Sequence, residues 1–443
     1  MAPPLEAGAA TADVTPGTPC FLHGYPHVAR VSTGTHDPLL ASALYVRHGA
    51  SACLFVAVDV ILISKAIAAR VRRRIAQATG VDEGAIVVSA THTHSGPVVV
   101  DYLSNEADSV VPKADPDYVR HLETQIVAAA VAAWNARRPA EMAFVRTDGA
   151  GVGTNRHSPN GPRDLAVPVL AVRDAQSLAF IGIMLVCAMH PTVLHEDSTL
   201  FSGDFPAFAR QHLQARFGGC PVIYHTGAAG DQSPRHVTRG NTFAEAQRLG
   251  DLLGAAVAAA LAAAPFTRDA GITFARCLIE LPLRMPPPLD EAERQLQNTR
   301  RRLDQLRRDG APRPAVRSAE CDWFGAEETV ALSRAAQDGR LHAALASCLP
   351  AEIQVFAIGP QLYVCWPGEF FVEFALRLKR KYPYSTVITL ANGELQGYVV
   401  TQQAIDNHWY EAGNALLQSP QAGDRVVAAT MELLAGLPGV VHA

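Results

Sequence analysis

The sequence predicts an α/β protein in which mixed β-sheets are flanked by helices, built as one large domain over residues 1–443. Apolar runs of strand length alternate with stretches whose apolar residues recur every three or four positions. Leu54–Val60 is typical of a buried strand, and Ala66–Thr79 is a helix that ends at Gly80. A chain of 443 residues with 49% hydrophobic residues is long enough to bury a large core. No linker or internal repeat interrupts the alternation.

The other elements follow from the same two patterns. Further strands are predicted at Ala85–Ala90, Val167–Val172, Phe180–Met189, Pro221–Thr226, Ile353–Ile358, Leu362–Trp366 and Thr386–Leu390. Further helices are predicted at Asp117–Arg137, Asp204–Phe217, Thr242–Ala264, Phe370–Lys381 and Asp424–Ala435. Asp204 is a helix N-cap candidate, and Thr242 forms a capping box with Glu245.

Residues 286–345 differ in composition from the rest of the chain. Pro286, Pro287 and Pro288 open the segment, and an Arg/Gln/Glu-rich helix follows over residues 290–308. Two further prolines break that helix before a second helical stretch. The pattern predicts a solvated helical hairpin inserted into the domain, and the alternative is a lid over an active site.

Charge and cysteine content exclude several classes of protein. The net charge of −4 and the pI of about 6.5 provide no basic field for nucleic acid. The first six residues carry neither the basic nor the apolar region of a secretory signal, and no apolar run is long enough to anchor the chain stably in a membrane. Eight cysteines are scattered without a C-x-x-C pair. We therefore expect a cytoplasmic protein with reduced thiols, whose oligomeric state the sequence leaves open.

The segment Thr91–Pro97 is the first candidate functional site. It follows a predicted buried strand and places His92 and His94 two residues apart, which on an extended segment points both imidazoles the same way. Imidazole is the commonest metal ligand and titrates near neutral pH. The pair predicts a metal site with an adjacent acid/base group, whereas the alternative is two loop histidines without chemistry.

Five further clusters lie at the ends of predicted strands or in the loops that follow them. They are Asn155–Pro159, His190–Thr192 with Ser202–Asp204, Gly227–Pro234, Trp366–Glu369, and Tyr398–Thr401 with Trp409–Gly413. Taken singly, each has a structural explanation: a core histidine, a strand-to-helix turn or phosphate cradle, a helix cap or a packed tyrosine. Their order along the chain is more informative than any one of them.

That order resembles the neutral/alkaline, non-lysosomal ceramidase family over nearly the whole chain. The matching segments are T-H-T-H-S-G-P at 91–97, N-R-H-S-P at 155–159, M-H-P-T at 189–192, S-G-D at 202–204, A-A-G-D-Q-S-P at 228–234, P-G-E at 367–369, Y-V-V-T at 398–401 and H-W-Y-E-A-G-N at 408–414. The chain departs from the family where His157 separates Arg156 from Ser-Pro, which puts the placement of Arg156 in doubt. From the sequence we expect neither the signal peptide nor the C-terminal β-sandwich of the ceramidases.

The resemblance implies a zinc-dependent amidohydrolase in which metal-activated water cleaves the C–N amide bond of an N-acyl amine or related small amide. The implied Zn²⁺ ligands are His92, His190, Glu369 and Tyr398. The implied catalytic residues that do not bind the metal are His94, Arg156 and Tyr410, and Ser233 matches a serine once assigned as nucleophile. Because zinc already activates water, we expect direct water attack rather than attack by Ser233.

Two alternatives remain on the same scaffold. A zinc esterase or lactonase would use the same ligands on an easier bond, and a non-catalytic member would bind a lipid or metabolite. For a cytoplasmic chain without a membrane-binding module, we expect a small soluble N-acylated amine, amino acid or lactam rather than ceramide.

Overall fold

The computed structural model describes residues 4–106, 108–413, 415–417 and 419–440; Asn414, the last residue of the H-W-Y-E-A-G-N motif, lies outside them. The strands described are β1 (Leu5–Asp13), β2 (Gly34–Thr35), β3 (Leu40–His48), β4 (Ser51–Val58), β5 (Ile86–Ala90), β6 (Arg138–Asp148), β7 (Thr154–Asn155), β8 (Ala166–Asp174), β9 (Phe180–Cys187), β10 (Leu200–Phe201), β11 (Val222–Thr226), β12 (Gln232–Ser233), β13 (Ile272–Ile279), β14 (Ala351–Ile358), β15 (Gln361–Cys365), β16 (Glu369–Phe370), β17 (Ser385–Ile388) and β18 (Tyr398–Val399). The helices are α1 (Lys65–Thr79), α2 (Pro116–Asn135), α3 (Phe205–Arg216), α4 (Phe243–Leu261), α5 (Leu289–Arg308), α6 (Arg313–Gln337), α7 (Leu341–Cys348), α8 (Val372–Lys381), α9 (Gln402–Asp406), α10 (Tyr410–Gly413) and α11 (Gln421–Gly436).

The main sheet is mixed, so the predicted fold class is confirmed. Its strands lie in the order β11-β9-β8-β6-β1-β3-β4-β5. The outermost pairs, β11 with β9 and β4 with β5, are parallel, and the pairs between them are antiparallel. Sequence analysis missed β1, β3 and β6. Strand β1 reads L-E-A-G-A-A-T-A-D, in which Thr11 is the single β-branched residue and no aromatic residue occurs, so it carries little of the composition that identifies a strand.

The two ends of this sheet meet, although they are far apart in strand order. The strands β11-β9-β8-β6 form one half of the sheet and β1-β3-β4-β5 the other, and two residue pairs between β1 and β6 join the halves. On the opposite side, the Ser89 hydroxyl in β5 lies 2.8 Å from His225 Nδ1 in β11, and the Thr226 hydroxyl donates to the Thr91 carbonyl at 2.7 Å. This closure brings the loop after β5 next to the loop after β9. The first carries His92 and the second His190.

A second sheet, in the order β13-β14-β15-β17, completes the scaffold. The segment after β15 leads directly into β16, which pairs in parallel with β18. In this register Glu369 lies opposite Tyr398. Two residues from distant parts of the chain are thereby placed side by side.

The segment predicted as a helical hairpin contains α5, α6 and α7. Helices α5 and α6 pack against each other along most of their length. Helix α6 is not solvated on both faces, because Ala319, Phe324 and Leu332 are buried. One end of α6 also packs on α10, where a Cβ at Gly325 would lie 2.8 Å from the Cβ of Tyr410. The hairpin therefore contacts the segment that carries Tyr410.

In the part of the chain that the structure describes, no helix combines the length and the apolar character needed to cross a bilayer.

Candidate metal centre and active-site cavity

The loops after β5, β9, β12 and β15 surround a cavity of about 400 Å³. All eight residues predicted as ligands or catalytic groups line this cavity: His92, His94, Arg156, His190, Ser233, Glu369, Tyr398 and Tyr410. They come from segments up to 318 residues apart in sequence, so only the folded chain assembles them. The grouping is as predicted, while the role of each residue stays a prediction.

Three ligand atoms meet at the floor of the cavity. His92 Nε2 lies 3.0 Å from His190 Nε2, and Glu369 Oε2 lies 3.1 Å and 3.3 Å from these two atoms. Three atoms bound to one tetrahedral zinc at about 2.0–2.1 Å would lie about 3.4 Å apart. The observed spacing is therefore close to that of a metal site.

The hydrogen bonds of the two imidazoles show why these atoms need a cation. His92 Nδ1 lies 2.7 Å from the Ile61 carbonyl, and His190 Nδ1 lies 2.6 Å from the Ala229 carbonyl. A carbonyl only accepts, so each Nδ1 carries the proton and each Nε2 presents a lone pair. Burial, followed by repulsion from His92, lowers the pKa of His190 to about 4, which keeps its imidazole neutral at pH 7.

Glu369 completes this set of acceptors. Its carboxyl group is buried, and among the described residues Oε2 has no hydrogen-bond partner. Burial opposes ionisation, but the two histidines hold the pKa of Glu369 well below its usual range. Two imidazole nitrogens and one buried carboxylate facing each other are a donor set that fits Zn²⁺.

The route by which His92 and His94 converge differs from the predicted one. Strand β5 ends at Ala90, and His92 has a φ of 69°, so the segment is not extended. The rings are nevertheless close, with centroids 5.0 Å apart and planes nearly perpendicular. A positive φ in a non-glycine residue is strained and is common at functional sites. The tight bend turns His92 towards His190.

His94 is positioned beside the three acceptor atoms by the loop that contains Gly24. Its Nδ1 lies 3.0 Å from the Gly24 carbonyl, so the proton is on Nδ1. Nε2 is buried and has no partner among the described residues. Gly24 is required here because a Cβ would lie 2.4 Å from His94 Nδ1. His92, His94 and His190 also have ligand atoms within 4.8 Å of one another, which makes His94 an alternative third ligand.

Arg156 lies between the two tyrosines of the site. Its guanidinium carbon is 5.4 Å from the centre of the Tyr398 ring and 5.0 Å from that of Tyr410. Burial raises the pKa of both phenols and outweighs the opposing effect of the Arg156 guanidinium, so both hydroxyls are protonated donors. The three side chains form a buried group of hydrogen-bond donors beside Glu369.

Glu411 is a site residue that sequence analysis did not assign. Its carboxylate is fully buried and accepts hydrogen bonds from Arg156 Nε at 2.7 Å and His157 Nε2 at 2.8 Å. His157 stacks on Trp409 with ring centroids 3.7 Å apart and planes inclined by 3°. His157 therefore joins the group that anchors Arg156. The neighbouring position of Glu411 and Tyr410 in the motif was the only sequence signal for this role.

Ser233 faces the cavity but shows no sign of activation. Its hydroxyl accepts a hydrogen bond from the Arg235 backbone N–H at 3.3 Å. Within the described residues, the hydroxyl has no hydrogen bond to an imidazole or a carboxylate. A nucleophilic serine requires such a base.

The aspartates of the S-G-D and A-A-G-D-Q-S-P segments, Asp204 and Asp231, bind backbone and amide groups. Asp204 caps α3 and accepts from the backbone N–H groups of Val193 and Leu194. Asp231 accepts from the Asn155 side chain and the Val372 backbone. The metal-site histidines are oriented by backbone carbonyls instead.

Comparisons with known proteins agree with the motif order. Residues 5–219 match the family described as neutral/alkaline non-lysosomal ceramidase, N-terminal. Neutral ceramidase from Pseudomonas aeruginosa has a similar structure, with a TM-score of 0.75 at 19% identity over 97% of this chain and 74% of the other. A ceramidase complexed with C2 has a TM-score of 0.71 at 17% identity, over 97% and 76%.

No curated protein matched the sequence. The resemblance inferred from the motifs is confirmed by the family match and by the two structures together. Residues 5–219 thus match the N-terminal domain of the neutral/alkaline non-lysosomal ceramidase family, and the chain has the neutral ceramidase fold.

Proposed function

We propose that this protein is a zinc-dependent hydrolase that cleaves the C–N amide bond of a small N-acyl amine by direct attack of water. Its family indicates a hydrolase acting on amide bonds. The observation that carries the zinc assignment is the meeting of His92 Nε2, His190 Nε2 and Glu369 Oε2 at 3.0–3.3 Å. Two imidazole nitrogens and one carboxylate oxygen at this spacing can bind one divalent cation together.

His92, His190 and Glu369 would hold the zinc ion, with Tyr398 as the fourth ligand. When bound there, zinc supplies Lewis acidity for the scissile carbonyl and lowers the pKa of water in its coordination sphere to about 7. Support for Tyr398 comes from its position opposite Glu369 in the β16–β18 pair.

His94 is the proton carrier in this proposal. Its buried Nε2 is an unprotonated acceptor with no partner among the described residues. Nε2 takes a proton from the attacking water and returns it to the leaving nitrogen, because an amine leaves far more readily when protonated. The Gly24 carbonyl holds the ring in the tautomer that this transfer requires.

Arg156 and Tyr410 stabilise the negative charge that develops on the carbonyl oxygen. Arg156 is buried and Tyr410 is half-buried, so the charge of the first and the hydroxyl dipole of the second are preorganised and only partly screened by water. Glu411 fixes the guanidinium, because Arg156 Nε and Nη2 lie 2.7 Å and 2.6 Å from its Oε1, and the guanidinium carbon stays within 5.4 Å of both tyrosine rings. Preorganised donors of this kind are typically worth about 3 kcal/mol each in the transition state.

The size of the cavity favours a small substrate. About 400 Å³ lies near the lower end of the range of roughly 300–1,000 Å³ for ligand sites. Ile61, Leu62 and Phe324 supply an apolar part of the lining that suits an acyl chain. The relatives in the structural comparison are ceramidases, whereas the substrate proposed here is a smaller amide.

The helical segment over residues 286–345 is proposed to cover this cavity. Helix α6 contributes Arg317 and Phe324 to the lining. Its outward neighbour α5 is rich in exposed charge and has few buried residues. An element with a buried inner face and a solvated outer layer has the composition of a lid.

The experiment that tests the proposed function is a hydrolysis panel with zinc-loaded protein. N-acyl amides of graded chain length, their matched esters and lactams would be incubated with wild type and with Glu369→Gln. We expect turnover of at least one amide by wild type and loss of that turnover in the variant. Cleavage of esters alone would favour the esterase alternative. Binding without cleavage of any compound would favour the non-catalytic one.

A further inference from the structure

Arg235 and Arg313 line one part of the cavity and form no ion pair with a carboxylate among the described residues, and the nearby Asp322 is paired with Arg302. Arg235 lines the cavity and is half-buried. Its hydrogen bonds go to the Ser318 hydroxyl at 3.1 Å, Cys321 Sγ at 3.4 Å and the Arg156 carbonyl at 3.5 Å, which are all uncharged. Among the described residues, no carboxylate forms an ion pair with Arg235. A partly desolvated cation without a counter-charge is an anion site.

The neighbouring arginines differ in how their charges are balanced. Arg317 forms ion pairs with Glu196 and Glu320 and is therefore neutralised by the protein itself. Arg313 has an uncharged partner, the amide oxygen of Asn241. Arg235 and Arg313 thus provide the basic character of this part of the lining.

The lining also contains an acidic residue, Glu328, but at a different place. Glu328 lies ten residues beyond Ser318 on α6, and Ser318 is the residue that Arg235 contacts. At 1.5 Å per residue, ten residues correspond to about 15 Å along the helix axis. The carboxylate of Glu328 is therefore remote from the guanidinium of Arg235.

The half-buried imidazole of His195 is affected by the same concentration of positive charge. Burial first, and then repulsion from Arg317, Arg313 and Arg235, lower the pKa of His195 to about 2. Three guanidinium groups from two segments therefore act on one point of the lining. Because His195 stays neutral, it adds no charge of its own to this region.

We propose that the substrate is an amide that carries a carboxylate, of the class of N-acylated amino acids, and that Arg235 binds this carboxylate. The inference rests on the proposed amide hydrolysis and deepens it. Arg235 follows Ser233 by two residues and contacts the Arg156 carbonyl, so it lies next to the donors assigned to the scissile group. The metal centre would act on the amide while Arg235 fixes the charged end.

The experiment compares two substrates that differ only in the carboxylate: N-octanoyl-phenylalanine and N-octanoyl-phenethylamine. Wild type is expected to prefer the acid by roughly 10- to 100-fold in kcat/KM, the usual range for a hydrogen bond to a charged partner. Arg235→Gln should remove the preference by raising KM for the acid, with little effect on the amine. Arg235→Lys should recover part of it. The control is Arg308→Gln, an exposed arginine on α5 outside the cavity lining, which should change neither value.

Circular dichroism and zinc content would show that each variant is folded. Equal kcat/KM for the two compounds in wild type, or a preference that Arg235→Gln leaves unchanged, would overturn the inference while amide hydrolysis stands. If neither compound is cleaved, that result counts against the proposed function, and calorimetric binding of the acid then decides the role of Arg235. At least tenfold weaker binding by Arg235→Gln would support the anion site. Equal affinity, or no binding by wild type, would overturn it.

Discussion

Replacing Glu411 by glutamine should reduce catalysis and stability together without releasing the metal. Glu411 is fully buried, and Arg156 Nε and His157 Nε2 donate to it at 2.7 Å and 2.8 Å. Glutamine keeps the shape of the side chain but removes the charge that balances the guanidinium. Arg156 would then remain buried as a cation without its counter-charge.

The size of the effect can be estimated in two ways. Burial opposes ionisation of Glu411, but Arg156 and His157 lower its pKa from 4.5 to about 2, a difference that corresponds to about 3 kcal/mol. Loss of one partner from a buried ion pair typically costs about 3–5 kcal/mol. We therefore expect a clear drop in the thermal unfolding midpoint. A misplaced Arg156 should also lower kcat by roughly 10²-fold while KM changes little.

A double-mutant cycle tests whether Glu411 acts through Arg156. The kcat of Arg156→Ala, Glu411→Gln and the double variant would be measured along with zinc content. If Glu411 positions the guanidinium, the double variant should be scarcely worse than Arg156→Ala alone. Fully additive losses would refute this reasoning, as would loss of zinc from Glu411→Gln.

Three further predictions concern the transition state, the nucleophile and the cover of the cavity. Arg156→Ala and Tyr410→Phe should each retain zinc and lose roughly 10²–10³-fold in kcat in steady-state assays; an effect confined to KM would assign that residue to substrate binding. Ser233→Ala should retain measurable turnover, and rapid-quench mass spectrometry should find no acyl adduct on Ser233; an adduct would reverse the assignment of the nucleophile. The ion pair between His27 and Glu327 of α6 should make thermal stability depend on pH, because the neighbouring acids outweigh burial and raise the pKa of His27. The stabilisation by this ion pair is complete below about pH 6.5 and is lost as the pH rises through the raised pKa of His27. The thermal unfolding midpoint should therefore fall less over that pH range in His27→Gln than in wild type. Identical pH profiles of the two proteins would exclude the ion pair as the cause.

The sequence predicted the parallel strands and their loops better than the antiparallel strands. Strands β5 and β9 are apolar and bounded by helices or turns, and their predicted positions agree with the structure to within two residues at either end. Strand β1 was missed because six of its nine residues are alanine, glycine or threonine, and its pairing with β3 depends on residues 35 positions away. Such long-range pairing leaves no local periodic signal.

The identity of the site residues was predictable, but their geometry was not. The motifs named eight candidate residues, and all eight line the cavity. No local pattern indicates that backbone carbonyls of Ile61 and Ala229 set the tautomers of His92 and His190, since those contacts depend on the closure of the sheet. The anchoring of Arg156 was missed for the same reason, because the carboxylate that holds it lies 255 residues further along the chain.

The zinc content of the purified protein tests the central claim most directly. After zinc loading and removal of free metal, elemental analysis should find one zinc per wild-type chain and the same value in His121→Ala, an exposed histidine on α2 that serves as control. His92→Ala and Glu369→Gln should lose the metal, Tyr398→Phe should bind it more weakly, and His94→Ala should retain it. Loss of zinc from His94→Ala but not from Glu369→Gln would make His94 the third ligand. A wild-type chain without zinc, or stoichiometric zinc in His92→Ala, would contradict the zinc assignment. If wild type binds no zinc, a proton rather than a metal holds His92, His190 and Glu369 together.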